Sequence, residues 1–201
     1  MTSSLYSYRS AALVLLGIGF LYGCCLAAPD ATNEFRLHTR QTVIHERGPV
    51  TSYVLQTSQA RFSFLPPMNW AVKENATTRE VVMMSRNLIT SIRFKIVEVA
   101  PEATTKEARV AQWHQTVLDN HPDGKIIAEF PCYTGRVEGA AVDLERIAAN
   151  KTKVFSRLAF IPLPDGRVEF DLTTTGGNLA ETRLAFGNFL TSFRVEPLAA
   201  R

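Results

Sequence analysis

The stretch from Val154 to Thr175, VFSRLAFIPLPDGRVEFDLTTT, decides how this chain folds. Its first part, residues 154–161, is almost wholly apolar, as a strand covered on both faces requires. Pro164-Asp165-Gly166 follows; proline presets one turn dihedral, and Asp and Gly tolerate the others. Beyond the turn, Val168, Phe170 and Leu172 alternate with Arg167, Glu169 and Asp171. That period of two sets one face of a strand against a core and the other toward water. Two long strands joined by so short a connection predict an antiparallel hairpin.

The same alternation runs outward along the chain. In RFSFLPPMNWAV, residues 61–72, Phe62 and Phe64 share a face before Pro66-Pro67 ends the strand, and Trp70 opens the next. Ile92, Phe94 and Ile96 alternate with Arg93 and Lys95; Val142 and Leu144 alternate with Asp143 and Glu145. Two helices interrupt the strands. The first follows Pro101, with Thr104 and Glu107 spaced as a capping box and Val110, Ala111, Val117 and Leu118 at helical spacing. His121-Pro122-Asp123-Gly124 stops it, because proline cannot continue the hydrogen-bond ladder. The second follows Gly176-Gly177, with Asn178 and Glu181 as its box and Leu179, Phe186, Phe189 and Leu190 free to lie on a sheet. A short strand over Ser192–Val195 closes the body, and residues 197–201 form a tail. Strands, helix, strands, helix and a last strand predict an α+β fold with a mainly antiparallel sheet. Neither GxGxxG nor GxxxxGK[ST] occurs, so no phosphate-cradling glycine loop is expected.

The chain has 201 residues, 46% of them apolar and 20% charged, with a formal charge of +3. A folded body near this size hides roughly 70% of its unfolded surface, enough for a proper core. No run of like charges appears, and the mild basic excess is far below the clustered density of nucleic-acid binders. Nucleic acid is therefore not an expected partner.

The first residues carry one positive charge, Arg9, followed by the apolar run AALVLLGIGFLYG from Ala11 to Gly23 and then by small residues. Basic start, apolar middle and small-residue exit form the pattern of an export signal. The run is short for a permanent span, which needs about 20 residues. Two exits are open. Cleavage after Ala27 places Cys25 and Ala27 at the small-residue positions. Alternatively, Leu21-Tyr22-Gly23-Cys24 resembles a bacterial lipobox, with Cys24 as the lipidated residue; Tyr22 departs from the small or hydroxyl residue usual there. Acyl chains add about 0.8 kcal/mol per buried methylene, so a modified Cys24 would hold the protein on a membrane. The expected organisation is an export signal over 1–27, a tether over 28–39, a domain over 40–196 and the tail.

Three segments together resemble PsbP-like domains: the strand-turn-strand RFSFLPPMNWAV, the hairpin VFSRLAFIPLPDGRVEFDLTTT, and the ending FGNFLTSFRV at residues 186–195. The resemblance implies an α/β/α sandwich around an antiparallel sheet. That fold serves a photosystem extrinsic subunit, a Ran-binding nuclear protein and many exported bacterial proteins of unknown role. It transfers no binding residues, because fold alone does not convey function.

Cys132 is the remaining cysteine beyond the leader, so the body holds no intrachain disulfide, and no CxxC or Cys/His ligand spacing occurs. As a nucleophile Cys132 would need a base in reach and a lowered pKa, with His114 and His121 as candidates. Packing as a small hydrophobe is the competing reading. His114 and His121 stand about 10 Å apart along a helix, too far to share a metal ion. His38 and His45 have the same spacing in an extended segment. Glu138, Asp143, Glu145, Glu169 and Asp171 fall on strands, mostly outward beside Arg136, Arg146 and Arg167, where cross-strand ion pairing is expected. Asn75-Ala76-Thr77 and Asn150-Lys151-Thr152 have the form of glycosylation sequons. Thr173-Thr174-Thr175-Gly176-Gly177 offers hydroxyls and amides, which a strand-to-helix turn also requires.

These readings converge on an exported, non-enzymatic domain, lipid-anchored at the periplasmic face of a bacterial membrane or secreted. It would bind an envelope or extracellular protein, with no catalytic residue, cofactor or metal expected. A Cys132-dependent hydrolase or transferase and a small-ligand carrier are the alternatives.

Overall fold

The structure, a computed structural model, describes residues 35–45, 48–98, 105–176 and 179–198. The leader, Cys24, Cys25 and Ala27 lie outside these residues, as do Thr104, Gly177 and Asn178. The chain divides into Met1–Asp30 and Ala31–Arg201, and everything described belongs to the second unit.

In chain order the strands are β1 (Arg36–Ile44), β2 (Gly48–Gln56), β3 (Ala60–Phe64), β4 (Ala71–Asn75), β5 (Glu80–Met84) and β6 (Thr90–Val97). Helix α1 (Lys106–Asn120) precedes β7 (Lys125–Thr134), β8 (Val137–Ile147), β9 (Lys153–Leu163) and β10 (Gly166–Thr174). Helix α2 (Leu179–Ser192) and β11 (Arg194–Pro197) complete the order. The strands form a four-stranded sheet, β1-β2-β3-β11, and a seven-stranded sheet, β4-β5-β6-β10-β9-β8-β7, with antiparallel pairing throughout.

The hairpin expected at Pro164-Asp165-Gly166 is β9–β10, and both strands lie inside the large sheet. Strand β9 buries both its faces. Ala159 and Ile161 join the core beneath α2, while Leu158 and Phe160 join a second cluster beneath α1. Gly166, at φ 146°, lets the turn close against β6: a Cβ there would sit 2.1 Å from the Val97 carbonyl oxygen.

The larger core is built on phenylalanine. Phe64 meets Phe94 edge-on with centroids 5.2 Å apart, and Phe170 meets Phe193 edge-on at 5.0 Å. Such pairs add about 0.5–1.5 kcal/mol each beyond the area they bury. They join the four-stranded sheet, α2 and one face of the large sheet into a single apolar layer. On the other face α1 covers β8 and β9, with Trp113 stacked on Phe160 at 5.7 Å and Val117 beside Val142, Leu144 and Leu158.

Several expectations need correction. The protein is mainly β: eleven described strands against two helices, with a second sheet sharing the layer of α2, so the α/β/α sandwich holds only in its antiparallel centre. Residues 36–39, expected in the tether, begin β1; their sparse apolar content hid a strand whose partner is β2. The α1 cap is Thr105, whose Oγ1 accepts from the Ala108 amide at 3.2 Å, one residue beyond the expected box. The buried residues of α1 are Trp113 and Val117, while Ala111 and Leu118 are exposed. The last strand starts at Arg194, because Ser192 still belongs to α2.

Candidate binding cleft

A cavity of about 880 Å³ opens between β2, the loop Leu65–Trp70 and the last turns of α2. That volume lies within the range of small-molecule sites. Its shape follows from sequence. Pro66 and Pro67 hold extended backbone after β3, and the Trp70 amide donates to the Pro67 carbonyl at 3.2 Å, closing a tight turn. Asn69 takes the left-handed conformation at φ 64°, which asparagine tolerates better than most residues. Ser192 fixes the loop to α2: its Oγ accepts from the Leu65 amide at 3.0 Å and donates to the Phe189 carbonyl at 2.7 Å.

The wall is apolar. Tyr53 stacks on Phe64 at 5.8 Å, and Phe189 meets the edge of Phe64 at 5.8 Å, so the lining continues the phenylalanine core to the surface. Met68 stands at the rim with 83% of its surface exposed. Asn188 and Ser192 supply polar contacts along α2. An apolar cleft with a few polar groups suits a ligand or peptide with a hydrophobic anchor. It offers no nucleophile–base pair.

Two charge clusters lie on the large sheet. On the open face, Arg93 pairs with Asp171 at 2.5 Å and Lys95 with Glu169 at 3.0 Å. Both are directly opposed residues of β6 and β10, as expected for cross-strand pairing. The second cluster corrects the reading of Asp143. This carboxylate is only 2% exposed. Arg157 binds it through Nε at 2.6 Å and Nη2 at 2.8 Å, and Arg183 of α2 reaches it at 2.9 Å. Arg157 lies over the Phe130 ring at 4.5 Å and Arg183 over Phe155 at 4.8 Å. Alternation placed Asp143 opposite Val142 and Leu144, but the face it points to is covered by α2.

The other sequence candidates do not converge. Cys132 is buried on β7, and burial pushes its thiol up to about 12. It is therefore protonated at neutral pH, the inert form. His114 is half-buried and meets Glu129 at 3.1 Å. His121 caps the C-terminus of α1, and burial lowers its pKa. His38 lies on β1 and His45 at the turn after it. Glu138 pairs with Lys106 at 2.6 Å and Glu145 with Lys153 at 2.8 Å. Among the described residues no group of three or more His, Cys, Asp or Glu is placed to hold a metal ion, and no helix is long and apolar enough to cross a membrane. The threonines before α2 bond internally: Thr174 with Thr90 at 2.9 Å, and Thr173 with Asp171 at 2.7 Å. Asn75, the exposed last residue of β4, and Asn150, in an exposed turn, have side-chain oxygens that accept from the Thr77 amide at 3.1 Å and the Thr152 amide at 3.0 Å. Sequence reasoning missed the cleft as a unit. Its clue was LPPMNW, an apolar segment that prolines and a turn prevent from pairing as a strand.

No family model matches the chain, and no curated protein matches it. Solved structures do. A protein of Bacteroides thetaiotaomicron VPI-5482 aligns at a TM-score of 0.45 and 13% identity over 67% of this chain, which spans only 45% of that protein's length. An immunity protein, TplEi of the T6SS of Pseudomonas aeruginosa, in complex with "L" peptide, aligns at 0.44 and 10% identity over 84% of this chain and 61% of that one. The cyanobacterial PsbP (CyanoP) of Synechocystis sp. PCC 6803 aligns at 0.52 and 14% identity, covering 87% of this chain and 98% of that one. At that identity the likeness concerns the fold alone: two antiparallel sheets and two helices arranged in a PsbP-like way.

Proposed function

We propose that this protein is exported, tethered to a membrane through lipid on Cys24 or freed by cleavage after Ala27, and acts without catalysis by binding an envelope or extracellular protein in the cleft beside α2. The observation that carries the reading is the cleft itself, an apolar cavity of about 880 Å³ bordered by a loop that holds Met68 in solvent. Exposed apolar surface next to a well-packed wall marks interaction sites. The leader, from Arg9 through Cys24, supports the address.

Two measurements test this. Mass spectrometry of the protein recovered from its exporting host should find residues 1–23 or 1–27 removed; an intact N-terminus overturns the address. A photo-crosslinker placed at Met68 should give discrete protein adducts in the intact envelope that are absent when it stands at the exposed Thr77. Equal labelling at both positions overturns the role of the cleft.

The cavity volume also favours a second reading, carriage of a small apolar ligand in the same cleft. Native mass spectrometry then finds a co-purified molecule that is lost when Ala185→Trp fills the cavity. A Cys132-dependent hydrolase or transferase draws no support from a buried thiol held near 12. Thiol reagents at neutral pH should label Cys132 only after unfolding.

A further inference from the structure

The outer face of the four-stranded sheet gathers charge that the chain spreads from Arg36 to Glu196. Cross-strand register sets the columns. Arg36, Gln56, Arg61 and Glu196 oppose one another; His38, Val54, Ser63 and Arg194 form the next column; Arg40 opposes Ser52 in a third. Opposed residues share a face, and the alternate column of Leu37, Leu55, Phe62 and Val195 points into the core. The outer face therefore presents four arginines, all exposed, against Glu196 as the one carboxylate among the described residues of these strands. The face is also concave. A depression of about 620 Å³ is lined by Arg40, Thr42, Ser52, Gln56, Arg61 and Ser63.

We propose that this concave basic face docks an acidic, extended segment of a partner protein. Arginine binds carboxylates through two parallel N–H donors, and Gln56 and Ser63 offer further polar contacts between the arginines. Three interstrand spacings make the face roughly 14 Å wide, the breadth of a single extended chain with its side chains. Concavity keeps a flat bilayer from its floor. Phe64 reaches the depression but is only 1% exposed, so the bases of a single-stranded nucleic acid find no open Phe, Tyr or Trp ring among the described lining residues. Arg194 is oriented by the end of α2, donating to the Thr191 carbonyl at 2.6 Å and the Phe193 carbonyl at 2.8 Å. Arg40 and Arg61 line the depression and are its anchors. The inference is independent of the apolar cleft, whose lining includes neither arginine.

The test measures binding of the full chain, in nonionic detergent, to fluorescent poly-L-glutamate. Arg40→Glu/Arg61→Glu should weaken binding by about tenfold or more at low salt. Lys73→Glu/Lys125→Glu, with the same net charge but substitutions on other strands, should leave binding near the wild-type value. The milder Arg40→Gln/Arg61→Gln should fall between them. Raising salt from about 0.05 to about 0.5 M should weaken the wild-type complex, because the screening length shrinks below the charge separations. Equal loss in both charge-reversed variants, or loss in neither, overturns the proposal. So does stronger face-dependent binding to phosphatidylglycerol micelles or to a single-stranded oligonucleotide, since either identifies a different class of partner. Matching melting temperatures confirm that each variant is folded.

Discussion

The two halves of the large sheet use similar residues to different ends. On β6 and β10, charged residues alternate with apolar ones, and the charged face looks away from the phenylalanine core. Its pairs, Arg93–Asp171 and Lys95–Glu169, each leave the cationic partner more than two-fifths exposed, at 47% and 43%. On β8 the same alternation occurs and its partner β9 is almost wholly apolar, but here helices cover both faces. Helix α1 covers Val142, Leu144, Leu158 and Phe160, while Arg183 of α2 closes over Asp143 and Arg157. An ion pair of one chemical type is thus a solvated fringe in one half and an internal joint in the other. Burial, not residue type, decides which.

Substitutions can break this comparison, and the largest effect is expected in the covered half. Trp113→Ala removes the ring stacked on Phe160 and should cost about 3–5 kcal/mol in chemical denaturation, through lost transfer energy and the cavity left behind. Asp143→Ala comes next, at about 3 kcal/mol, because it leaves Arg157 without its bidentate partner. The exposure of Arg183 moderates that cost, since solvent reaches its guanidinium. Replacing charge by shape, as in Asp143→Leu/Arg157→Met, should recover most of the loss. If the double variant is no more stable than Asp143→Ala, the buried pair is worth more than its desolvation costs.

In the open half, Asp171→Ala should change stability by about 0–1 kcal/mol and less at high salt, as screened surface pairs do. A loss like that of Asp143→Ala would erase the distinction between the halves. The smallest effect belongs at their border, where His121 shares a small cavity with Arg93 and Asp171. Burial lowers its pKa, with Arg146 and Arg93 adding to that shift and Asp171 opposing it. The unfolded chain therefore takes up the proton first as pH falls below about 6.5, and stability declines from there down through the folded pKa. In acid titrations followed by thermal unfolding, His121→Gln should flatten that part of the profile.

The elements most legible in the sequence are those whose signal is local. The β9–β10 hairpin announced itself through a continuous apolar run, a Pro-Asp-Gly turn and an alternating run. Helix ends were legible to within a residue or two, because caps and prolines act on their neighbours. Strand β1 was not legible: RLHTRQTVI has little apolar alternation, and it is a strand because β2 pairs along its length. Nor could alternation reveal that the polar side of β8 lies under a helix, since the pattern distinguishes two faces without saying what covers each.

By itself the sequence determined the antiparallel hairpins and the two helices, consequences of neighbouring residues and of short turns. Only the tertiary structure decided that Leu65–Trp70 meets α2 in a cleft, that Asp143 is internal, and that Arg36, Arg40, Arg61 and Arg194 share one surface. The physical reason is common to all three. Each depends on which strands pair and which helix covers them, and those contacts bring together residues far apart in the chain.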